Sequence, residues 1–158
     1  MKPKIVTKKH RLEPDLYKGS IICSFTICIE GRENLFTNKK IFNDVETILL
    51  RCLKEMECVA YVYLFMPDHI HLTIEGKSER SDLLKFVNVF KQRSGYYFYK
   101  NRFKGEWQKS FYDHILRKDE DIVKHVRYIL GNPVRKGIVA NWKDYPFKGS
   151  TVYDFAAW

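Results

Sequence analysis

The sequence predicts a single α+β domain over residues 1–158, of the ferredoxin-like, split βαβ plan, with an antiparallel sheet and an added C-terminal helix. Three observations predict this fold. Apolar and polar residues alternate in two segments, apolar residues recur at helical spacing in three others, and the segments follow in the order strand, helix, strand, strand, helix, strand, helix. With 45% hydrophobic residues, the chain is long enough for one core and too short for two domains.

The first strand and the first helix show the clearest periodicities. Over about 20–30, apolar residues such as Phe25 and Ile27 alternate with polar ones, which is the pattern of a half-buried strand. Beyond a turn at Gly31–Asn34, Asn38 is a suitable N-cap for an amphipathic helix. The apolar residues at helical spacing in this helix are Phe42, Val45, Ile48, Leu49, Cys52, Leu53 and Met56.

Two further strands and a second helix follow. Val59–Phe65 is rich in aromatic and β-branched residues, and Met66–Asp68 separates it from the alternating segment His69–Glu75. The short connection predicts that these two strands are neighbours. Ser81 and Asp82 then cap a helix that runs to about residue 100, with apolar side chains along one side.

The last strand is short, and a third helix follows it. Phe111–Leu116 is the strand candidate, and the acidic residues at 119–121 favour a helix N-terminus. This helix is predicted to end near Gly131–Pro133. The tail, 134–158, shows no clear period and is predicted to pack irregularly, whereas 1–15 form a basic N-terminal arm. We expect the helices to cover one face of the sheet, which leaves the other face or an edge for chemistry.

The charge of the chain indicates a polyanionic partner. The formal net charge is +9, with 13 basic and 11 acidic residues in the first 80 positions and 15 and 8 in the remainder. This excess in the second half suits DNA, RNA or an acidic membrane surface. A basic protein without such a partner would show the same composition.

The sequence predicts neither a membrane span nor secretion. Its longest apolar stretch, Cys58–Met66, is far shorter than the ~20 residues that cross a bilayer, and the basic N-terminus lacks the apolar segment of a signal peptide. The four cysteines form no CxxC pair and are predicted to be reduced and mostly buried. We therefore expect a cytoplasmic protein.

Two histidines on the third predicted strand are candidate metal ligands. Because successive side chains of a strand point to opposite faces, Ile70, Leu72 and Ile74 are expected in the core. His69 and His71 then share the other face. Imidazoles at i and i+2 can coordinate one divalent cation, since imidazole is a common ligand of such ions. Two ordinary histidines on a polar face would show the same HxH pattern.

The third helix carries a polar stripe that contains a tyrosine. On a helical wheel this stripe is separate from the apolar arc, and it consists of Asp121, His125, Tyr128 and Asn132. Tyr128 and Asn132 are four residues apart and lie one above the other, so a phenol and an amide oxygen could face the same ion. The alternative interpretation is a surface tyrosine and a helix-end asparagine.

The chain contains three motifs in order: Met66–Leu72, Trp107–Gln108 with Phe111–Arg117, and Tyr128–Gly137. Together they resemble the HUH single-tyrosine (insertion-sequence-200-like) transposases, and within them the REP-associated tyrosine transposases of bacteria. The resemblance covers most of the chain, from the first strand to Gly149–Ser150. HxH alone is unspecific, whereas the combination of motifs in this order is specific.

The resemblance implies an enzyme and assigns its site. By position, His69 and His71 would be metal ligands, Asn132 the third ligand and Tyr128 the nucleophile. It further implies Mg²⁺ or Mn²⁺ as cofactor and cleavage of single-stranded DNA through a 5′-phosphotyrosine intermediate with a free 3′-OH, chemistry that suits transposition. Because Pro133 follows Asn132, the backbone of Asn132 is biased away from the helical region, and this makes Asn132 the least secure of the three ligands.

Further side chains are candidates for supporting roles. His114 and His125 could orient a ligand or handle protons, although each could equally be structural. Lys85, Lys91 and Arg93 are candidate phosphate contacts on the second predicted helix, where basic and aromatic residues are interleaved. The expected partner is single-stranded DNA with hairpin or palindromic element ends, bound by a monomer or a homodimer.

Two other functions stay open at this point. A catalytically silent nucleic-acid-binding module of ferredoxin-like, RRM-type architecture would share the element order, but the strand His69–Glu75 has no RNP aromatic signature. A two-histidine phosphoesterase would need a second HxT or HxS element. Only one HxT occurs, at His71–Thr73, and it is in the wrong frame.

Overall fold

Residues 11–158 are described by the computed structural model, and a five-stranded antiparallel sheet lies at their centre. The strands lie side by side in the order β4, β1, β3, β2, β5. The first four strands and the two helices between them follow the predicted ferredoxin-like plan. The strand bounds are β1 Ile22–Cys28, β2 Cys58–Met66, β3 His69–Gly76, β4 Tyr112–Ile115 and β5 Lys148–Gly149.

Two long helices cover one face of the sheet: α1, Lys39–Glu55, and α2, Leu83–Lys100. Each begins at a predicted cap, because the side chains of Asn38 and Asp82 accept hydrogen bonds from backbone amides of the first turn. The main hydrophobic cluster lies beneath these helices. The alternate apolar residues of β3 are buried in it, as predicted.

The third helix, α3 (Ile122–Leu130), packs on the opposite face, so the expectation that the helices share one face is wrong. The reason lies in β2, whose residues point alternately into two different hydrophobic clusters. Because this strand is apolar along its whole length, both of its faces must be covered. On the second face Val126, Ile129 and Leu130 of α3 meet Val62, Leu64 and Met66 of β2.

A short helical turn, α4 (Asn132–Arg135), follows α3 after Gly131. Pro133 stands in its first turn, where the missing amide hydrogen leaves no helical hydrogen bond unmade. The amide of Arg135 donates to the carbonyl of Gly131, and this bond closes the turn. Asn132 therefore begins a helix, although the following proline biases its backbone away from the helical region.

The C-terminal tail packs against the second cluster through its aromatic side chains. Tyr145 is buried, and its hydroxyl donates to the backbone carbonyl of Phe65 in β2. The two residues of β5 pair with Tyr63 and Leu64 of the same strand. The sequence did not predict β5, because two residues are too few to show a period. The rest of 134–158 consists of turns, short helical segments and extended chain.

Several remaining expectations concern the termini and the cysteines. The basic arm predicted over 1–15 falls largely outside the described residues, which begin at Arg11. The Arg11 guanidinium donates to the carboxylate of Asp113 in β4 at 3.0 Å.

All four cysteines are buried, as predicted. In the described part of the chain, no helix combines the length and apolar character needed to cross a bilayer.

Candidate active site

The two histidines of β3 converge on the sheet face opposite the main core. Ile70 and Leu72 point into that core, so His69 and His71 share the other face, as the alternation predicted. Their Nε2 atoms lie 3.1 Å apart, and the two ring planes are nearly perpendicular at 85°. The structure thus brings these two predicted ligands to a single point.

A carboxylate fixes the orientation of His69. Oδ1 of Asp68 lies 2.6 Å from Nδ1 of His69, while Oδ2 of Asp68 accepts a hydrogen bond from Nε of Arg32 at 2.8 Å. An ionised carboxylate can only accept, so Nδ1 of His69 carries a hydrogen, and whenever the ring is neutral its Nε2 presents a lone pair. Burial would raise the pKa of Asp68, but the hydrogen bonds from His69 and Arg32 outweigh it and hold that pKa well below its usual value.

His71 is held in its neutral form. Burial, followed by the charges of His69, Arg135 and His125, lowers the pKa of His71 to about 3. Oγ1 of Thr26, on the neighbouring strand β1, lies 3.3 Å from Nδ1 of this ring. When the hydroxyl accepts a hydrogen bond from Nδ1, Nε2 of His71 is left with its lone pair. Protons therefore do not compete for this ring near neutral pH.

This arrangement of donors suits a divalent cation. The two Nε2 atoms lie 3.1 Å apart, and when both present lone pairs a cation bound between them removes their mutual repulsion. Nitrogen ligands stand about 2.0–2.1 Å from a bound Zn²⁺, which places two tetrahedral ligands roughly 3.4 Å apart, close to the observed spacing. Among residues 11–158, no group of three His, Cys, Asp or Glu side chains could hold a metal. A further protein ligand would therefore be of another type, such as an amide.

Helix α3 lies beside the histidine pair. Leu64 and Met66 of β2 pair directly with His71 and His69 of β3, so these four side chains share one face of the sheet. Leu64 and Met66 also belong to the cluster that α3 covers. The helix that carries Tyr128 is thus docked next to the two imidazoles. The side chain of Tyr128 is not part of the cluster and is 66% exposed.

Arg135 joins Tyr128 to Asn132. Nη2 of Arg135 donates to the backbone carbonyl of Tyr128 at 2.6 Å and to Oδ1 of Asn132 at 2.9 Å. The same guanidinium stacks on the phenol ring, with its Cζ 4.0 Å from the ring centroid. The arginine therefore engages the amide oxygen that the sequence marks as a metal ligand.

The other two candidate histidines lie further along the same sheet face. Nε2 of His125 is 3.1 Å from Oγ1 of Thr73 and 3.2 Å from Oγ of Ser24, so this side chain ties α3 to β3 and β1. Burial, and then the charge of His114, lowers the pKa of His125. His114 on β4 has both carboxylate oxygens of Glu120 3.1 Å from its Nε2. Both rings are engaged by groups other than the histidine pair.

The candidate phosphate contacts lie on α2, which covers the sheet face opposite the histidine pair. The Lys91 ammonium donates to two backbone carbonyls just before β4. Arg93 forms an ion pair with Glu55 of α1 at 2.7 Å. Lys85 is exposed. The structure does not bring these three residues to the histidine pair.

Four residues that surround the site were not predicted from the sequence. Asp68 carried a signal, because the second ring nitrogen of a metal-binding histidine commonly donates to a carboxylate. The others reach the site through strand pairing, a loop or a returning helical turn, and no local pattern marks them. The four residues are Thr26, Arg32, Asp68 and Arg135.

Sequence comparison relates the chain to transposases. A family model described as transposase, IS200 like, matches residues 18–131, a range that includes the histidine pair and Tyr128 and ends just before Asn132. A Haemophilus influenzae protein named for the REP-associated tyrosine transposases is 28% identical over 144 residues, or 84% of this chain and 81% of that protein. The REP-associated tyrosine transposase of Escherichia coli K12 is 31% identical over 123 residues, or 78% of this chain and 72% of the relative.

Two solved structures share the fold. The structure of a REP-associated tyrosine transposase bound to a REP hairpin matches with a TM-score of 0.73 at 22% identity, and the match covers 89% of this chain and 81% of that one. The crystal structure of a Deinococcus radiodurans protein described as a transposase matches with a TM-score of 0.54 at 14% identity, over 82% and 96% of the two chains. At these identities the likeness supports the fold.

Proposed function

Because this chain belongs to the IS200-like transposase family, and within it to the REP-associated tyrosine transposases, we propose that it cuts and rejoins single-stranded DNA with a tyrosine nucleophile. The observation that carries the proposal is the convergence of two imidazole nitrogens, 3.1 Å apart, beside a helix that presents an exposed tyrosine. A protein that only bound DNA would have no need for two imidazole nitrogens to converge in this way.

His69, His71 and Asn132 are the residues that would hold Mg²⁺ or Mn²⁺. The bound ion would polarise a phosphate and stabilise negative charge on its oxygens. Two neutral imidazoles and one amide oxygen form a mixed nitrogen and oxygen donor set that leaves other coordination positions open. Asp68 and Thr26 support this set, because each engages Nδ1 of one ring and so directs its Nε2 toward the shared point.

Tyr128 supplies the nucleophile. Its phenol oxygen attacks the phosphorus and gives up its proton to water, while the bond between phosphorus and the 3′ oxygen breaks and that oxygen takes up a proton. One DNA fragment then ends in a 3′-OH, and the other is joined to Tyr128 through its 5′ phosphate. Because the phosphotyrosine bond retains the energy of the broken phosphodiester, a 3′-OH can attack it and rejoin the strand. The exposed position of Tyr128 leaves its hydroxyl open to DNA.

The proposed substrate is single-stranded DNA that carries a hairpin or a palindromic end. The net charge of +9 favours a polyanion. The relative with a TM-score of 0.73 was solved in complex with a REP hairpin, which supports a similar partner here.

A cleavage assay tests the function. Oligonucleotides with and without a hairpin, incubated with Mg²⁺ or Mn²⁺, should release an upstream fragment that ends in 3′-OH. The downstream fragment should stay attached to the protein in denaturing electrophoresis. Tyr128→Phe keeps the ring and should lower cleavage by at least ~10³-fold, as the loss of an attacking group does. Tyr99→Phe is the matched control, because this tyrosine is 82% exposed on α2 and lies on the other side of the sheet.

Each contrary result has a distinct meaning. DNA binding without cleavage or adduct would favour the catalytically silent binding module. An adduct that mass spectrometry maps to Tyr112 or another tyrosine would keep the activity and overturn the assignment of Tyr128. Cleavage that persists after chelation, and in His69→Ala and His71→Ala, would overturn the metal site.

A further inference from the structure

Arg135 uses only part of its hydrogen-bonding capacity. Both of its hydrogen bonds, to the carbonyl of Tyr128 and to Oδ1 of Asn132, come from Nη2. Within residues 11–158, Nε and Nη1 donate to no other group, and the side chain is exposed. A guanidinium carries a permanent positive charge and five N–H donors. Arg135 can therefore donate to an incoming anion while its ring contact with Tyr128 is kept.

Gly131 provides the space that this guanidinium occupies. A Cβ atom at position 131 would lie 2.6 Å from Nη1 of Arg135, which is too close for the two atoms to coexist. The backbone of Gly131 has a φ of −75° and a ψ of −10°, a conformation that any residue adopts. The glycine is thus not required by the backbone. Its missing side chain lets Arg135 reach back over the end of α3.

The amide oxygen of Asn132 cannot easily serve two cations at once. In this structure Oδ1 of Asn132 accepts a hydrogen bond from Arg135 at 2.9 Å. A divalent ion on the same oxygen would bring its charge within a few ångströms of the guanidinium, and like charges this close repel each other. Loading the metal site therefore favours release of Arg135 from Asn132, and a DNA phosphate nearby would favour it further.

We propose that Arg135 is a phosphate-binding residue of the active site that leaves Asn132 when a divalent cation takes its Oδ1. The guanidinium stays against the ring of Tyr128 and donates through its unused N–H groups to the phosphate that this tyrosine attacks. The proposal rests on the proposed function. It goes further by giving the metal and the DNA complementary effects on one arginine: the metal displaces Arg135 from Asn132, and a DNA phosphate then binds it.

The first test is a calorimetric Mn²⁺ titration without DNA. Arg135→Ala removes the competing charge and should bind Mn²⁺ about fivefold more tightly than the wild type, a change in the usual range for coupling between sites. Gly131→Ala provides a second variant, since it keeps the arginine but displaces its flexible tip, and it should also tighten Mn²⁺ binding. Arg127→Ala is the matched control. Arg127 lies on α3 and stacks on Trp158 at 4.4 Å, and its removal should leave Mn²⁺ affinity unchanged.

The second test measures DNA binding in a Tyr128→Phe background, where the strand stays intact and the aromatic ring is kept. Adding Arg135→Ala should weaken single-strand binding and flatten the slope of log affinity against log salt by ~0.7, the value for one phosphate contact. An unchanged slope would overturn the phosphate contact. Unchanged or weaker Mn²⁺ binding in both Arg135→Ala and Gly131→Ala would overturn the competition at Asn132. A separate measurement tests the proposed metal site itself. If His69→Ala bound Mn²⁺ as tightly as the wild type, the metal site would be wrong.

Discussion

The carboxylate of Asp68 receives a hydrogen bond from Nδ1 of its sequence neighbour His69, at 2.6 Å, and so turns Nε2 of that ring toward His71. The other carboxylate oxygen is held by Arg32 at 2.8 Å. The metal-binding geometry of His69 therefore depends on a chain of contacts that begins outside β3.

Replacing Asp68 should weaken metal binding without unfolding the protein. Asp68→Ala frees Nδ1 of His69 and lets the ring rotate, so Mn²⁺ affinity in calorimetry should fall by about 10- to 100-fold, the usual effect of losing such a partner. Asp15→Ala removes a carboxylate that is 90% exposed and paired with Lys18, and it serves as the control. Equal Mn²⁺ affinities in Asp68→Ala and the wild type would contradict the role of Asp68.

His71 should make the metal-free protein sensitive to acid. In the unfolded chain this ring ionises near its ordinary pKa of 6.5, whereas burial lowers the pKa of folded His71 to about 3. Between these values the unfolded chain binds a proton that the folded protein does not. The contribution of His71 to stability is therefore complete above pH 6.5 and is lost as the pH falls toward 3.

Melting temperatures measured with chelator between pH 7.5 and pH 4.5 check this dependence. The wild type should lose stability faster than His71→Gln as the pH falls, because the variant lacks the titrating ring. Identical pH profiles for the two proteins would show that the His71 ring is not the source of the acid sensitivity.

His125 should position α3 without taking part in metal binding. His125→Ala removes the contacts to Thr73 and Ser24, and the loss should cost about 1–2 kcal/mol in urea denaturation, as expected for a partly buried hydrogen-bonded group. Cleavage should fall more than Mn²⁺ affinity, because the helix that carries Tyr128 loses its anchor. His125→Gln, whose amide can reach a hydroxyl, should recover part of the loss. A parallel fall in Mn²⁺ affinity would instead place His125 at the metal.

The basic residues of α2 give a test of how far DNA extends over the protein. If single-stranded DNA reaches this helix, the combined change of Lys85, Lys91 and Arg93 to Ala should flatten the salt dependence of binding by ~0.7 for each lost phosphate contact. Our expectation from the sequence is such a decrease. Lys18→Ala is the control, because the ammonium group of Lys18 is paired with the carboxylate of Asp15. A salt slope equal to that of the wild type would confine the DNA to the face that carries the histidine pair.

The fold was largely predictable because its main elements carry strong periodicity. Alternation identified β1 and β3, helical spacing identified α1 and α2, and Asn38 and Asp82 cap the helices as expected. The face chosen by α3 was not predictable from α3 itself. The position of α3 depends on β2, because both faces of this strand are apolar and each must be covered. A short run of apolar residues does not indicate on which face of the sheet a distant helix will pack.

The candidate site was predictable only in part, for a similar reason. The two histidines and the polar stripe of α3 follow from local periods. The contact between Arg135 and Asn132 depends on a side chain that folds back over a helix end, and its sequence signal is no stronger than that of any other exposed arginine. Thr26 reaches His71 only because β1 and β3 pair in one particular register.

The two hydrophobic clusters on opposite faces of the sheet should open at different temperatures. The cluster beneath α3 contains fewer buried residues than the one beneath α1 and α2, and α3 has nine residues. Such a helix should open before the main core does. The histidine pair sits on β3, the central strand, and would outlast this opening. Asn132 follows α3 directly and moves with it, so warmed protein is expected to stop cutting DNA while the two imidazoles alone retain weaker Mn²⁺ binding. Early amide exchange in α3 should mark the interval between the loss of cleavage and the complete loss of Mn²⁺.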